Sequence, residues 1–158
     1  MFRINMKKYL LFILTISIIG TSSFGQNKFP DLDTNSLVKP AYDLEKLNKK
    51  YTLIVYGGVG CSYSKYLIEN LEVLSECKDK CDIILIMDQG KDSIEQHMRN
   101  IIEKYPTFTN TILQYRLKRK ADIYPQLLLF KNKVQIEHII GVKEGMLTKT
   151  KKIIMDDK

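Results

Sequence analysis

The chain has 158 residues, 44% of them hydrophobic, and a formal net charge of +7. That is one modest domain's worth of sequence, long enough to bury one real core. The cationic excess is mild, and its short clusters read as solvated faces rather than as a nucleic-acid surface.

The N-terminal residues have the layout of a secretion signal. Arg3, Lys7 and Lys8 make a positive first region, and residues 9–19 are an apolar stretch too short for a comfortable membrane span. Thr21-Ser22-Ser23-Phe24-Gly25 then offers small residues before a cut at Gln26. Residues 1–25 are therefore expected to be a cleaved signal peptide, with Met6 as an alternative start. A retained anchor is the competing reading, and the absence of a charged stop-transfer cluster counts against it. No cysteine lies near the cut to carry a lipid. Removal of the segment would take the charge from +7 to +4 and leave no stable membrane span. The expected location is the periplasm or the exterior of a bacterial cell envelope. An exported protein rarely meets nucleic acid, so Lys118-Arg119-Lys120 and the basic run at 149–152 are given no such partner.

Residues 26–41, with Pro30 and Pro40, read as an extended lead-in, and residues 42–158 as the folded domain. A short turn or helical piece over 43–50 precedes a buried strand at 52–57, Thr-Leu-Ile-Val-Tyr-Gly. Gly57, Gly58 and Gly60 punctuate the chain, and from Ser62 the apolar spacing becomes helical to about residue 76. A second buried strand is expected at 82–87 and a helix at 92–104, which Tyr105-Pro106 breaks. Ile112, Leu113, Tyr115 and Leu117 fit either a short strand or a helix start. Residues 126–130 form a third strand and 131–133 a turn. Residues 134–140 alternate as an antiparallel partner that Gly141 ends, and 146–155 form a terminal helix. Parallel crossovers followed by a hairpin predict an α/β fold: a central mixed sheet with helices on both faces.

Cys61 lies where the first strand turns into a helix. A thiol there meets unpaired backbone N–H groups and the positive end of the helix dipole, and both favour the reactive thiolate.

These residues together resemble the thioredoxin-like superfamily, more narrowly the exported thiol-disulfide proteins of bacterial envelopes. Asp43-Leu44-Glu45-Lys46-Leu47 resembles the segment that leads into the domain of envelope thioredoxins. Cys61-Ser62-Tyr63-Ser64 lies on the Cys-x-x-Cys position, and Ile123-Tyr124-Pro125 lies where the family places a cis-proline facing its active cysteine. The resemblance covers roughly residues 42–155. It implies a three-layer thioredoxin-like sandwich, no cofactor, and exported thiol- or disulfide-bearing proteins as partners, with an envelope thiol donor in support. It also implies that Tyr63, Tyr124 and Pro125 line a substrate groove; surface aromatics and an ordinary trans proline are the plain alternatives.

The departures bear on mechanism. Ser64 replaces the second motif cysteine, Gly60 stands where the family's aromatic residue precedes the first, and Val55 takes the place of the buried acid. Ser64 can hydrogen-bond a Cys61 thiolate but cannot resolve a mixed disulfide. On one helix over 62–76, Cys77 would lie about 20 Å beyond Cys61, outside the span of about 7 Å that a disulfide allows. An odd count of three cysteines suggests one pair plus one reactive thiol. Cys77 and Cys81 could staple the turn between them; two free thiols or a metal-site fragment are the alternatives. His97 and His138 show no partnered ligand spacing, so no metal is expected. His138 reads as structural, Lys65 as a solvated residue or an aid to the thiolate, and Asp88 as a cap without chemistry. Three functions are in play: exchange or isomerisation through Cys61 with Ser64 beside it, a non-catalytic binding module, and a Cys61-linked dimer.

Overall fold

The computed structural model describes residues 29–30, 32, 34–39, 43–109 and 123–157. Its centre is a five-stranded mixed sheet in the order β3-β2-β1-β4-β5. The strands are β1 (Tyr51–Gly57), β2 (Cys81–Met87), β3 (Thr107–Thr109), β4 (Gln126–Lys131) and β5 (Val134–Ile140). β1 pairs with β2 in parallel from Tyr51↔Cys81 to Gly57↔Met87, and β2 pairs with β3 in parallel. β4 joins β1 antiparallel, and β5 joins β4 antiparallel. The helices are α1 (Ser62–Glu69), α2 (Lys91–Ile102) and α3 (Met146–Met155). The sheet flanked by helices is the thioredoxin-like α/β arrangement expected from the sequence.

β1 is buried along its whole length, as its unbroken apolar run requires. Its alternate residues feed two cores. Leu53 and Val55 pack with Leu67 and Ile68 of α1, Ile94 of α2 and Ile154 of α3. Ile54 and Tyr56 face the other side with Phe108, Leu128 and Phe130, where Phe29, Leu32, Leu44 and Leu47 cover them. The expected lead-in is thus packed against the domain. Leu37 and Val38 are buried, Leu37 bridges Phe108, and the Val38 N–H donates to the Thr107 carbonyl at 2.9 Å.

Three local features differ from the sequence reading. The helix after Cys61 does not run unbroken to 76. It stops at Glu69, and a 3-10 helix follows over Leu71–Cys77. The Asn70 amide donates to the Tyr66 carbonyl at 2.8 Å, the local competition with backbone bonding that makes asparagine a poor helix-interior residue. The second difference is β3, which the sequence reading left unassigned. At three residues it is too short to show alternation, and its pairing with β2 forms it. Third, the expected Cys77–Cys81 staple is not formed: all three cysteines carry free thiols. The signal peptide expected at 1–25, the strand or helix start expected at 112–117 and the basic run at 118–120 lie outside the described residues. The hairpin turn falls as expected, on Asn132 and Lys133, both with positive φ, as a two-residue primed turn requires.

Candidate functional site

The site forms where β1, β2 and β4 end side by side. Gly57 closes β1, and its partner Met87 closes β2. Gln126 opens β4 opposite Tyr56. This is the carboxyl end of the parallel pair, where open α/β sheets place their sites.

Cys61 is the N-cap residue of α1, in extended conformation at φ −91° and ψ 114°. Its N–H donates to the Gly58 carbonyl at 3.1 Å, and its carbonyl accepts from Lys65 N–H at 3.0 Å. The side chain is neither buried nor fully exposed. Burial acts to raise the thiol, but the Ser64 hydroxyl, the Ser64 N–H and the Tyr63 N–H outweigh it and bring the thiol below its ordinary value. None of these donors closes a side-chain capping bond, so they act on the thiolate as oriented dipoles of the first helical turn.

Ser64 is fully buried, and its Oγ accepts the Gly58 N–H at 3.2 Å. A hydroxyl that accepts one hydrogen bond still has its own proton to give, and Ser64 is among the groups that lower the Cys61 thiol. The close approach needs glycine at 57, because a Cβ there would stand 3.0 Å from the Ser64 Oγ.

The Tyr124–Pro125 peptide is cis. Tyr124 meets Tyr56 edge-on, with ring centroids 5.3 Å apart, and its hydroxyl donates to the Asp88 carboxylate. Burial, with Asp88 and Tyr56 adding to it, pushes the Tyr124 phenol far up, so it keeps its proton. A Cβ placed on Gly58 would meet the Tyr124 ring at 3.5 Å and the Cys61 Cβ at 3.7 Å. The proline loop and the cysteine loop therefore meet over Gly58. The Pro125 carbonyl accepts from Gly141 N–H at 2.8 Å, which ties the loop to the end of β5.

Cys61, Ser64, Tyr124 and Pro125 thus come together. Tyr63 follows Cys61 on the helix but is 64% exposed, open to a partner rather than built into a wall. Cys77 and Cys81 lie elsewhere. Cys81 pairs with Tyr51, six residues back along the strands from the Gly57↔Met87 end, or about 20 Å at the usual rise. Both are buried. Burial raises the Cys77 thiol and pushes the Cys81 thiol up to about 12.

Asp88 does not cap α2; the N-cap is Gly90, with no side-chain bond. The Asp88 side chain takes the Tyr124 hydroxyl instead. Gln89, which the sequence reading passed over, accepts the Val59 N–H at 2.7 Å. The signal for both was positional: they are the first residues beyond a parallel strand adjacent to the cysteine strand. Lys65 stands 3.9 Å from Glu69 on the solvent side of α1. His138 bonds Gln126 at 2.8 Å across the β4–β5 pair. Val55 is buried among apolar residues. No group of three or more His, Cys, Asp or Glu that could hold a metal occurs among the described residues.

No family model matches the sequence, and no curated protein matches it. Solved structures do. A thioredoxin-like protein from Bacteroides caccae is 17% identical with a TM-score of 0.54; the match covers 73% of this chain and 43% of that one. This chain therefore spans less than half the length of that protein. A secreted Mycobacterium tuberculosis disulfide oxidoreductase is 8% identical with a TM-score of 0.54, over 73% of this chain and 87% of that one. A thiol-disulfide isomerase from Corynebacterium glutamicum is 10% identical with a TM-score of 0.63, over 85% and 99%. At these identities the likeness is one of fold, and this chain has the thioredoxin-like fold.

Proposed function

We propose that this chain is an exported thiol-disulfide exchange or isomerisation protein that works through a single nucleophile, Cys61. The observation that carries the reading is the placement of that thiol: at the N-cap of α1, partly exposed, lowered by the first helical turn, and facing a cis Tyr124–Pro125 loop. Export rests on the basic and then apolar N-terminal segment, and the secreted mycobacterial structure with the same fold supports it.

In this mechanism the Cys61 thiolate attacks one sulfur of a client disulfide. That S–S bond breaks, its electron pair leaves with the other client sulfur, and a Cys61–client disulfide forms. Ser64 stabilises the thiolate, both before attack and when it leaves again, but supplies no second thiol. Release needs a thiol from the client itself, which isomerises it, or from an envelope thiol donor. Tyr63, Tyr124 and Pro125 contact the client chain. No cofactor takes part.

A non-catalytic binding module on the same scaffold is the second reading, favoured by Ser64 at the resolving position and by Val55 in place of an acid. Incubating the exported protein with a disulfide-bearing client separates the two. Exchange predicts a reducible Cys61–client adduct that Cys61→Ser abolishes. Equal capture by wild type and Cys61→Ala, with no adduct, would sink exchange and leave the module.

A further inference from the structure

Asp88 and Gln89 follow β2 directly and reach both halves of the thiol site. The Asp88 N–H donates to the Gly57 carbonyl at 2.9 Å, the last carbonyl before the cysteine loop. The Asp88 carboxylate accepts the Tyr124 hydroxyl, next to the cis-proline. The Gln89 Oε1 accepts the Val59 N–H at 2.7 Å, two residues before Cys61. Between the two arms, a Cβ added to Gly58 would stand 3.5 Å from the Tyr124 ring and 3.7 Å from the Cys61 Cβ.

We infer that Asp88 and Gln89 are positioning residues that fix the proline loop relative to the Cys61 sulfur, and so favour extended polypeptide disulfides over small ones. The inference rests on the exchange reading above. A small disulfide needs only the sulfur. A polypeptide must reach the sulfur and lie along the proline loop at once, so only it responds to the spacing between them. From this third element, the end of β2, each loop receives one side-chain hydrogen bond, Tyr124 to Asp88 and Val59 to Gln89. The phenol stays protonated, so its donation to Asp88 persists through neutral pH.

The test uses two probes with one chromophore: a cysteine peptide carrying thionitrobenzoate in disulfide linkage, and Ellman's reagent. In both, the Cys61 thiolate attacks the disulfide and thionitrobenzoate leaves with the electron pair, giving an adduct on Cys61. The readout is the ratio of the peptide rate to the small-reagent rate. Asp88→Ala and Gln89→Ala should each lower that ratio about tenfold, the size of one lost hydrogen bond. Asp88→Asn, which keeps an acceptor for the phenol, should retain most of it. Tyr124→Phe, which removes only the hydroxyl, should match Asp88→Ala, and the double variant should lose no more than either single one. Rates are read below each variant's melting temperature. An unchanged ratio, or an Asp88→Asn as impaired as the alanine, would overturn the positioning role. Wild type inert to both probes would instead overturn the exchange reading, and the inference with it.

Discussion

The Ser64 hydroxyl accepts the Gly58 N–H at 3.2 Å and is also among the groups that lower the Cys61 thiol. One buried side chain thereby orders the cysteine loop and stabilises the thiolate. Replacing it with alanine removes both effects. Ser64→Ala should shift the pH midpoint of Cys61 alkylation upward, towards that of an ordinary thiol. The rate at pH 7 should fall roughly fivefold, for the loss of about 1 kcal/mol of hydrogen bonding. The buried Gly58 N–H would also lose its partner, at a cost of about 1–3 kcal/mol in stability, which denaturant titration measures.

Ser64→Cys restores a resolving thiol. The variant should gain catalysed reduction of insulin disulfides in the presence of dithiothreitol, while wild type stays near the uncatalysed rate. Sulfur is larger than oxygen, and the site already sits 3.0 Å from where a Gly57 Cβ would be. A modest loss of stability, about 1 kcal/mol, should accompany the gain. Failure of the variant to turn over, though folded and bridged, would count against the site as an exchange centre.

Native labelling should divide the thiols. Cys61 is accessible with its thiol lowered, whereas Cys77 and Cys81 are buried with theirs raised. In native protein at pH 7, one equivalent of iodoacetamide label should enter, at Cys61, and the other two thiols should react only after unfolding. Rapid native labelling of Cys81 would contradict its burial.

Asp157 anchors the C-terminal end to the sheet. Its carboxylate accepts the Tyr51 hydroxyl at 2.5 Å and pairs with Lys50 at 2.7 Å and Lys131 at 3.0 Å. These partners hold its carboxyl well below the usual range. Burial first, and then Asp157, push the Tyr51 phenol up to about 12. A carboxyl depressed in the folded state stabilises fully above its unfolded value near pH 4, and less as pH falls. Asp157→Asn should therefore lower the urea midpoint at pH 7 and flatten its decline below about pH 4. An acid-side slope equal to wild type would exclude this carboxylate as the cause.

Much of the sheet was legible because β1, β2 and β4 are largely buried and read as short apolar runs, while β5 alternates between covered and open faces. The 52–57 run and the 134–140 alternation came within a residue of β1 and β5. β3 was not legible, since three residues carry no period and their pairing with β2 is a tertiary fact. The break at Asn70 was hidden because Leu71 and Leu74 keep helical spacing through the 3-10 turn. In the site, Cys61, Ser64 and Tyr124-Pro125 followed from a motif position. Asp88 and Gln89 did not: a polar pair after a strand looks like any turn until the fold brings two loops to it.

The strand register places Cys81 at the far end of the sheet from Cys61, and Cys77 is buried in the same core cluster. The folded chain is therefore monovalent in thiol chemistry. Adduct formation should saturate at one client per molecule, and no molecule can cross-link two clients into a network. A fluorophore or affinity handle can likewise be placed at Cys61 alone without removing another cysteine.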